Sequence, residues 1–169
     1  STYKRVAIDQ QVKPLSGDPS PAYNQGMKNR PVAPKSILIT GATSGIGEAL
    51  ALAYAKPGVA LALSGRNRER LKNVADRCRE FGSEVSGEAI DVTDQARMAA
   101  WIGEVDRRAA LDLVIANAGI LGGASVMSGK GADQARQIFA VNQGGVLNTV
   151  LPAIPLMKDR RRGQIAVMS

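Results

Sequence analysis

Three glycines, at 41, 45 and 47, follow the short apolar run at residues 37–40, and an apolar pattern of helical period follows them at once. A strand, a glycine turn and a helix in that order can hold a phosphate. Gly41 permits a tight turn, Gly45 lets the backbone come close to a pyrophosphate, and Gly47 lets the helix pack near the strand. The N–H groups of the first helical turn and the positive end of its dipole then face the anion, and Thr43 and Ser44 add hydroxyl donors. A glycine-rich turn of this kind can also be purely structural. Its spacing, G-x-x-x-G-x-G, departs from the G-x-G-x-x-G dinucleotide fingerprint, and no Gly-Lys-Ser/Thr makes it a mononucleotide P-loop. Other chemistries are excluded by composition. The chain has no histidine, so a Ser-His-Asp or Cys-His arrangement cannot form. Cys78 is the only cysteine, which rules out an intrachain disulfide and a cysteine zinc cluster, and no metal site is expected.

The full octet at residues 40–47, TGATSGIG, which includes Ile46, resembles the TGxxxGIG loop of the short-chain dehydrogenase/reductase family. The resemblance continues downstream. Asp91-Val92 matches the acidic position that in this family contacts the adenine amino group. Asn117-Ala118-Gly119, within IANAG, matches the motif that supports the sheet and borders the cofactor, and Asn142, within FAVNQGG, matches the helix asparagine of the catalytic tetrad. Taken singly, Asp91 reads as a strand-end residue, Asn117-Ala118-Gly119 as a turn and Asn142 as a surface helix residue. Their joint order over residues 36–169 carries the resemblance.

The resemblance implies hydride transfer between a nicotinamide cofactor and a small-molecule alcohol or carbonyl, with general acid-base catalysis at the substrate oxygen. In the family that proton is handled by a tyrosine with a lysine four residues later. No Tyr-x-x-x-Lys occurs in these 169 residues, and Tyr54 meets Gly58 at that offset. Ser169 matches the first serine of the family's Ser-Ser pair, or the catalytic one if the register slips by one residue. The tetrad is therefore expected to survive only as Asn142, in a truncated chain inactive alone. The alternatives are a non-catalytic dinucleotide-binding or regulatory protein that ends at Ser169, and a non-functional product of a truncated gene. Family members often form dimers or tetramers through the helix containing Asn142, which leaves a homo-oligomer open. The loop at 120–130 is expected to border the substrate pocket, but the substrate is not legible.

The choice between nicotinamide cofactors is made after the second strand, where an acid accepts from the ribose 2′-OH of NAD or an arginine receives the 2′-phosphate of NADP. Ser64-Gly65-Arg66-Asn67 stands there, and the first acid is Glu69. Arg66 can meet a phosphate with a planar fork of donors. It can also simply solvate the following helix together with Arg68 and Arg70, although cations are disfavoured at a helix N-terminus unless an anion sits nearby. NADP is the expected cofactor, with NAD as the alternative.

The elements that must position these residues are read from periodicity. Apolar runs at 37–40, 59–63, 85–90, 111–116 and 164–168 read as strands, and residues 46–56, 68–81, 94–107 and 132–157 as helices. Thr93 is the expected N-cap of the third helix, with Asp94 in its first turn. Pro152 and Pro155 predict a kink or an end in the last. Five strands alternating with four helices imply an α/β fold, a Rossmann-like doubly wound parallel sheet that is incomplete. Without the elements the family places next, its fifth strand is expected to be an edge and its apolar helix faces to be exposed, favouring association or poor solubility. Residues 1–35, with five prolines and two glycines among mostly polar residues, read as an extended or disordered leader before a single domain at 36–169.

The formal charge of +7 resides at two places: residues 1–35 carry six basic and two acidic groups, and residues 158–162 four basic and one acidic. The stretch between them is neutral by count, so a solvated tail and a basic loop are expected, with no nucleic-acid partner. The chain has no apolar run of about 18 residues and no charged-then-apolar start, so no membrane contact and a reducing cytoplasmic setting are expected.

Overall fold

A computed structural model describes residues 4–6, 33–121 and 131–168. Most of the predicted leader, Ser169 and all but the first two residues of the loop at 120–130 lie outside the described residues. The strands are β1 (Lys4–Val6), β2 (Ser36–Thr40), β3 (Ala60–Ser64), β4 (Glu84–Glu88), β5 (Leu113–Ala116) and β6 (Gln164–Val167). The helices are α1 (Gly45–Tyr54), α2 (Arg68–Glu80), α3 (Gln95–Arg108), α4 (Gly131–Phe139) and α5 (Gly145–Asp159), with a π-helical segment, Ala140–Gly144, joining the last two.

The sheet runs β1-β6-β5-β2-β3-β4, and all pairs but β1 with β6 are parallel. The strand order reverses between β2 and β5, the switch point at which ligands bind in such sheets. Strands buried on both faces need apolar residues throughout, and β2, β3 and β5 supply them. Leu38, Ala62 and Val114 face Met98, Trp101 and Ile102 of α3 and Ala153 and Met157 of α5. Ile37, Ile39, Leu61 and Leu63 alternate to the other face, against Ala51 of α1 and Leu71, Val74 and Cys78 of α2. This period of 2 on the strands and 3.6 on the helices is what winds the sheet doubly.

Five expectations are corrected. The fifth parallel strand is not an edge: β1 pairs antiparallel along it, Lys4 opposite Val167 and Val6 opposite Ile165. The N-cap of α3 is Asp94, whose carboxylate accepts from the Arg97 N–H at 3.0 Å, because Thr93 spends both its N–H and its hydroxyl on Asp91. The helix read over 132–157 is divided by the π-helical segment. Of the kink or end expected at its prolines, the end does not occur, since α5 runs through Pro152 and Pro155 to Asp159. Burial of Ala153 and Met157 against the sheet holds the turns that the prolines weaken by about 3 kcal/mol each.

The fifth correction concerns the basic stretch at 158–162, which is not merely solvated. The Arg160 guanidinium donates to both Asp106 oxygens (2.9 and 2.7 Å) and to the Leu111 and Leu156 carbonyls, tying the C-terminal ends of α3 and α5 together. Arg162 donates to Asp112. No described helix is long and apolar enough to cross a membrane.

Candidate functional site

The C-terminal ends of β2, β3 and β5 open into a cavity of about 530 Å³, inside the range of about 300–1,000 Å³ typical of small-molecule sites. Gly41, Thr43, Ser44, Gly45, Ile46, Arg66, Asp91, Val92, Asn117, Ala118 and Gly119 all line it. Two residues singled out in the sequence do not. Neither Gly47 nor Asn142 is among its lining residues, although Asn142 bonds to Ile120, which is.

The loop is shaped by backbone geometry. Gly41 (φ +68°) and Gly45 (φ +59°) take left-handed conformations that other residues adopt only with strain. A Cβ on Gly41 would lie 2.7 Å from Ala118 Cα, so the turn can press against the Asn117 segment only without one. Gly47 is tighter still, its would-be Cβ 2.2 Å from the Gly41 carbonyl oxygen. Gly45 has nothing within 4 Å of that position and therefore faces open space. Ser44 is the N-cap residue of α1, with the extended backbone usual for a cap, but its hydroxyl makes no capping bond. Among the described residues no side chain accepts from the first N–H groups of α1, and an open glycine, two hydroxyls and a positive dipole end surround the space before them. This donor set fits a diphosphate.

Thr40, whose importance was not read from the sequence, holds the loop to the opposite strand. Its hydroxyl accepts from the Asn117 and Ala118 N–H groups (3.1 and 3.2 Å) and faces the Ile115 carbonyl at 3.5 Å. Asn117 returns the contact, its Nδ2 donating to the Thr40 and Gly41 carbonyls (3.0 and 3.3 Å). Gly65 has a like role that its place in Ser64-Gly65-Arg66-Asn67 does not announce: a Cβ there would lie 2.4 Å from Thr43 Cγ2, so it too is glycine for close approach. A glycine directly after a predicted strand and opposite the loop was the available signal.

Asp91 accepts from the Thr93 N–H at 3.0 Å and the Thr93 hydroxyl at 2.8 Å. The backbone bond from Thr93 does most to hold its carboxyl below the usual carboxylate range; burial works against it, and the Thr93 hydroxyl and the Arg66 charge assist. Asp91 is therefore an anionic acceptor in the cavity, with Arg66 close enough to feel it. Asn142 sits in the π-helical segment, a common irregularity at functional sites. Its Oδ1 accepts from the Ile120 N–H at 2.8 Å and its Nδ2 donates to the Ile120 carbonyl at 2.9 Å. Ile120 lines the cavity, so Asn142 fixes that wall through backbone alone. Tyr54 closes α1 and packs against the core on the face shared with α2.

The profile of the short chain dehydrogenase family matches residues 35–169. An uncharacterized oxidoreductase of Myxococcus xanthus is 34% identical over 136 residues, covering 80% of this chain and 53% of its own. Among solved structures, an NAD+-bound xylitol dehydrogenase superposes with TM-score 0.72 at 30% identity, over 78% of this chain and 51% of that one. An alcohol dehydrogenase from the archaeon Thermococcus sibiricus, complexed with 5-hydroxy-NADP, gives 0.67 at 34% identity, over 76% and 55%. The chain spans about half the length of these relatives.

Proposed function

The chain belongs to the short-chain dehydrogenase family, and from that premise we propose that it forms the coenzyme-binding part of an NADP-dependent oxidoreductase acting on a small alcohol or carbonyl. The observation that carries the reading is the cavity at the switch point, with the open Gly45 and the uncapped start of α1 on one side and Arg66 and Asp91 on the other. When bound, the coenzyme supplies or accepts a hydride. The chain's residues bind and orient it. The α1 N–H groups with Thr43 and Ser44 take the diphosphate, anionic Asp91 accepts from the adenine amino group, and Arg66 receives the 2′-phosphate. Asn117-Ala118-Gly119 forms the wall opposite the loop, and Asn142 serves as a positioning residue through Ile120. The 169 residues hold no Tyr-x-x-x-Lys to move a proton at the substrate oxygen, so we expect coenzyme binding without turnover.

Calorimetric titration of the purified chain with NADPH and NADH tests this. NADPH is expected to bind more tightly, and Arg66→Asp to weaken NADPH far more than NADH. Equal losses for both coenzymes would overturn the NADP assignment, and dehydrogenase turnover by these residues alone would overturn the account of the missing acid.

A further inference from the structure

Asp91 and Val92 line the cavity but stand beyond β4, whose ladder ends at Glu88 opposite Ser64. The bonds that shape this turn are its own. The Asp91 carboxylate accepts from the Thr93 N–H and hydroxyl, and its carbonyl from the Asp94 N–H at 3.0 Å. Such local bonds fix the form of a turn and not its place relative to the rest of a cavity.

Its place is set from α5. The half-buried Asn148 donates through Nδ2 to the Val92 carbonyl at 2.9 Å. One turn earlier Gly145 is buried against the same residue, and a Cβ there would lie 2.5 Å from Val92 Cγ2. Another turn earlier Val141 lines the cavity itself. Residues 141, 145 and 148 recur at the spacing of one helix face. Asn142, beside Val141, holds the Ile120 peptide. One continuous helical stretch therefore fixes, through two side-chain amides, the backbone of two cavity-lining residues, Ile120 after β5 and Val92 after β4. Asparagine is a poorer helix residue than leucine, so the bond to Val92, and not the helix, accounts for its place inside α5.

Granted the coenzyme reading, on which this rests, we propose that Asn148 is a positioning residue for the adenine half of the coenzyme. Anchored at the Val92 carbonyl, the turn presents the Asp91 carboxylate at a fixed depth in the cavity, where the adenine amino group donates to it.

The test is calorimetric titration of the full chain and its Asn148→Leu and Asn148→Gln variants with NADPH and with its hypoxanthine analogue, whose ring carries a carbonyl in place of the amino group. Leucine keeps the volume and favours the helix but has no donor; glutamine keeps the donor on a longer arm. Asn148→Leu is expected to weaken NADPH by about three- to tenfold, the size of one hydrogen bond, and to leave the analogue within about twofold of the parent. The preference for adenine then shrinks, and Asn148→Gln should recover part of it. A merely structural role would weaken both coenzymes by the same factor. That result, or an Asn148→Leu chain that binds NADPH as the parent does, overturns the proposal while coenzyme binding by the parent stands. A parent that binds NADPH and the analogue alike has no adenine contact to position, and the proposal falls with coenzyme binding intact. A parent that binds neither overturns the coenzyme reading and this inference with it.

Discussion

A single methyl group at Gly47 separates what the loop does for the fold from what it does for a ligand. In Gly47→Ala the new Cβ would lie 2.2 Å from the Gly41 carbonyl oxygen, 2.8 Å from its carbon and 2.5 Å from Asn117 Nδ2. Carbon contacts are comfortable only from about 3.5 Å, so the loop must shift by roughly 1 Å, and what must yield is backbone. Overpacking of this kind costs about 1–3 kcal/mol. The Asn117 amide, displaced with it, gives up one or both of its bonds to Thr40 and Gly41 at about 0.5–1.5 kcal/mol each. Alanine returns about 0.5–1 kcal/mol as the better helix residue. The net loss is about 2–4 kcal/mol out of a typical 5–15, which lowers the melting temperature by roughly 6–16 °C for a domain of this size. Thermal unfolding followed by far-ultraviolet circular dichroism measures it. Gly45→Ala is the matched control: it meets nothing within 4 Å, so its cost is only the left-handed backbone, about 1–2 kcal/mol. Its methyl should instead reduce coenzyme affinity. A Gly47→Ala chain that melts at or above Gly45→Ala would refute the reasoning.

Three further outcomes are expected. Thr40→Val leaves the Asn117 and Ala118 N–H groups without their acceptor and should cost about 2–4 kcal/mol, whereas Thr40→Ser should stay within about 1 kcal/mol of the parent in urea titration. Among the described residues, Ser64 Oγ is buried with no hydrogen-bond partner. Ser64→Ala should therefore be neutral or stabilising by up to about 1 kcal/mol, and a clear loss in the same titration would mean that the hydroxyl is in use. Burial works to raise the Asp112 carboxyl, but the Lys35 and Ser36 N–H groups and Arg162 prevail and hold it below the usual carboxylate range. A depressed folded value means that its stabilisation is complete above the unfolded pKa of about 3.9 and is lost as pH falls through the folded value. Asp112→Asn should flatten the acid limb of stability between about pH 5 and pH 2 while lowering stability at neutral pH; an unchanged limb would contradict this.

The sheet was legible because its signal is local. The runs at 37–40, 59–63 and 164–168 are apolar stretches of strand length, and each falls within a residue of the observed strand. The phosphate loop was legible for a related reason, since positive φ and close approach leave glycines behind in the sequence. What escaped was decided by distant contacts. Residues 140–144 carry no local mark of a π-helix, and the contact that Asn142 makes from it is with Ile120, 22 positions away. Thr40 belongs to the recognised octet, but its bonds go to Asn117 and Ala118, 77 and 78 residues on. The prolines of α5 mislead for the converse reason: the local penalty is visible, and the burial of Thr149, Ala153 and Met157 along the helix is not. Nothing in the polar segment around Lys4–Val6 marks it as a partner for β6.

Both bonds from Asn142 end on the peptide of residue 120 and neither on its side chain. The position of that wall is thereby uncoupled from the identity of the residue occupying it. Residue 120 behaves as an interchangeable tip on a fixed mount: its side chain can be varied to reshape the cavity while the amide that aims it stays put. A saturation library there would explore ligand preference on an unchanged frame, whereas any replacement at 142 would move the mount and every tip with it.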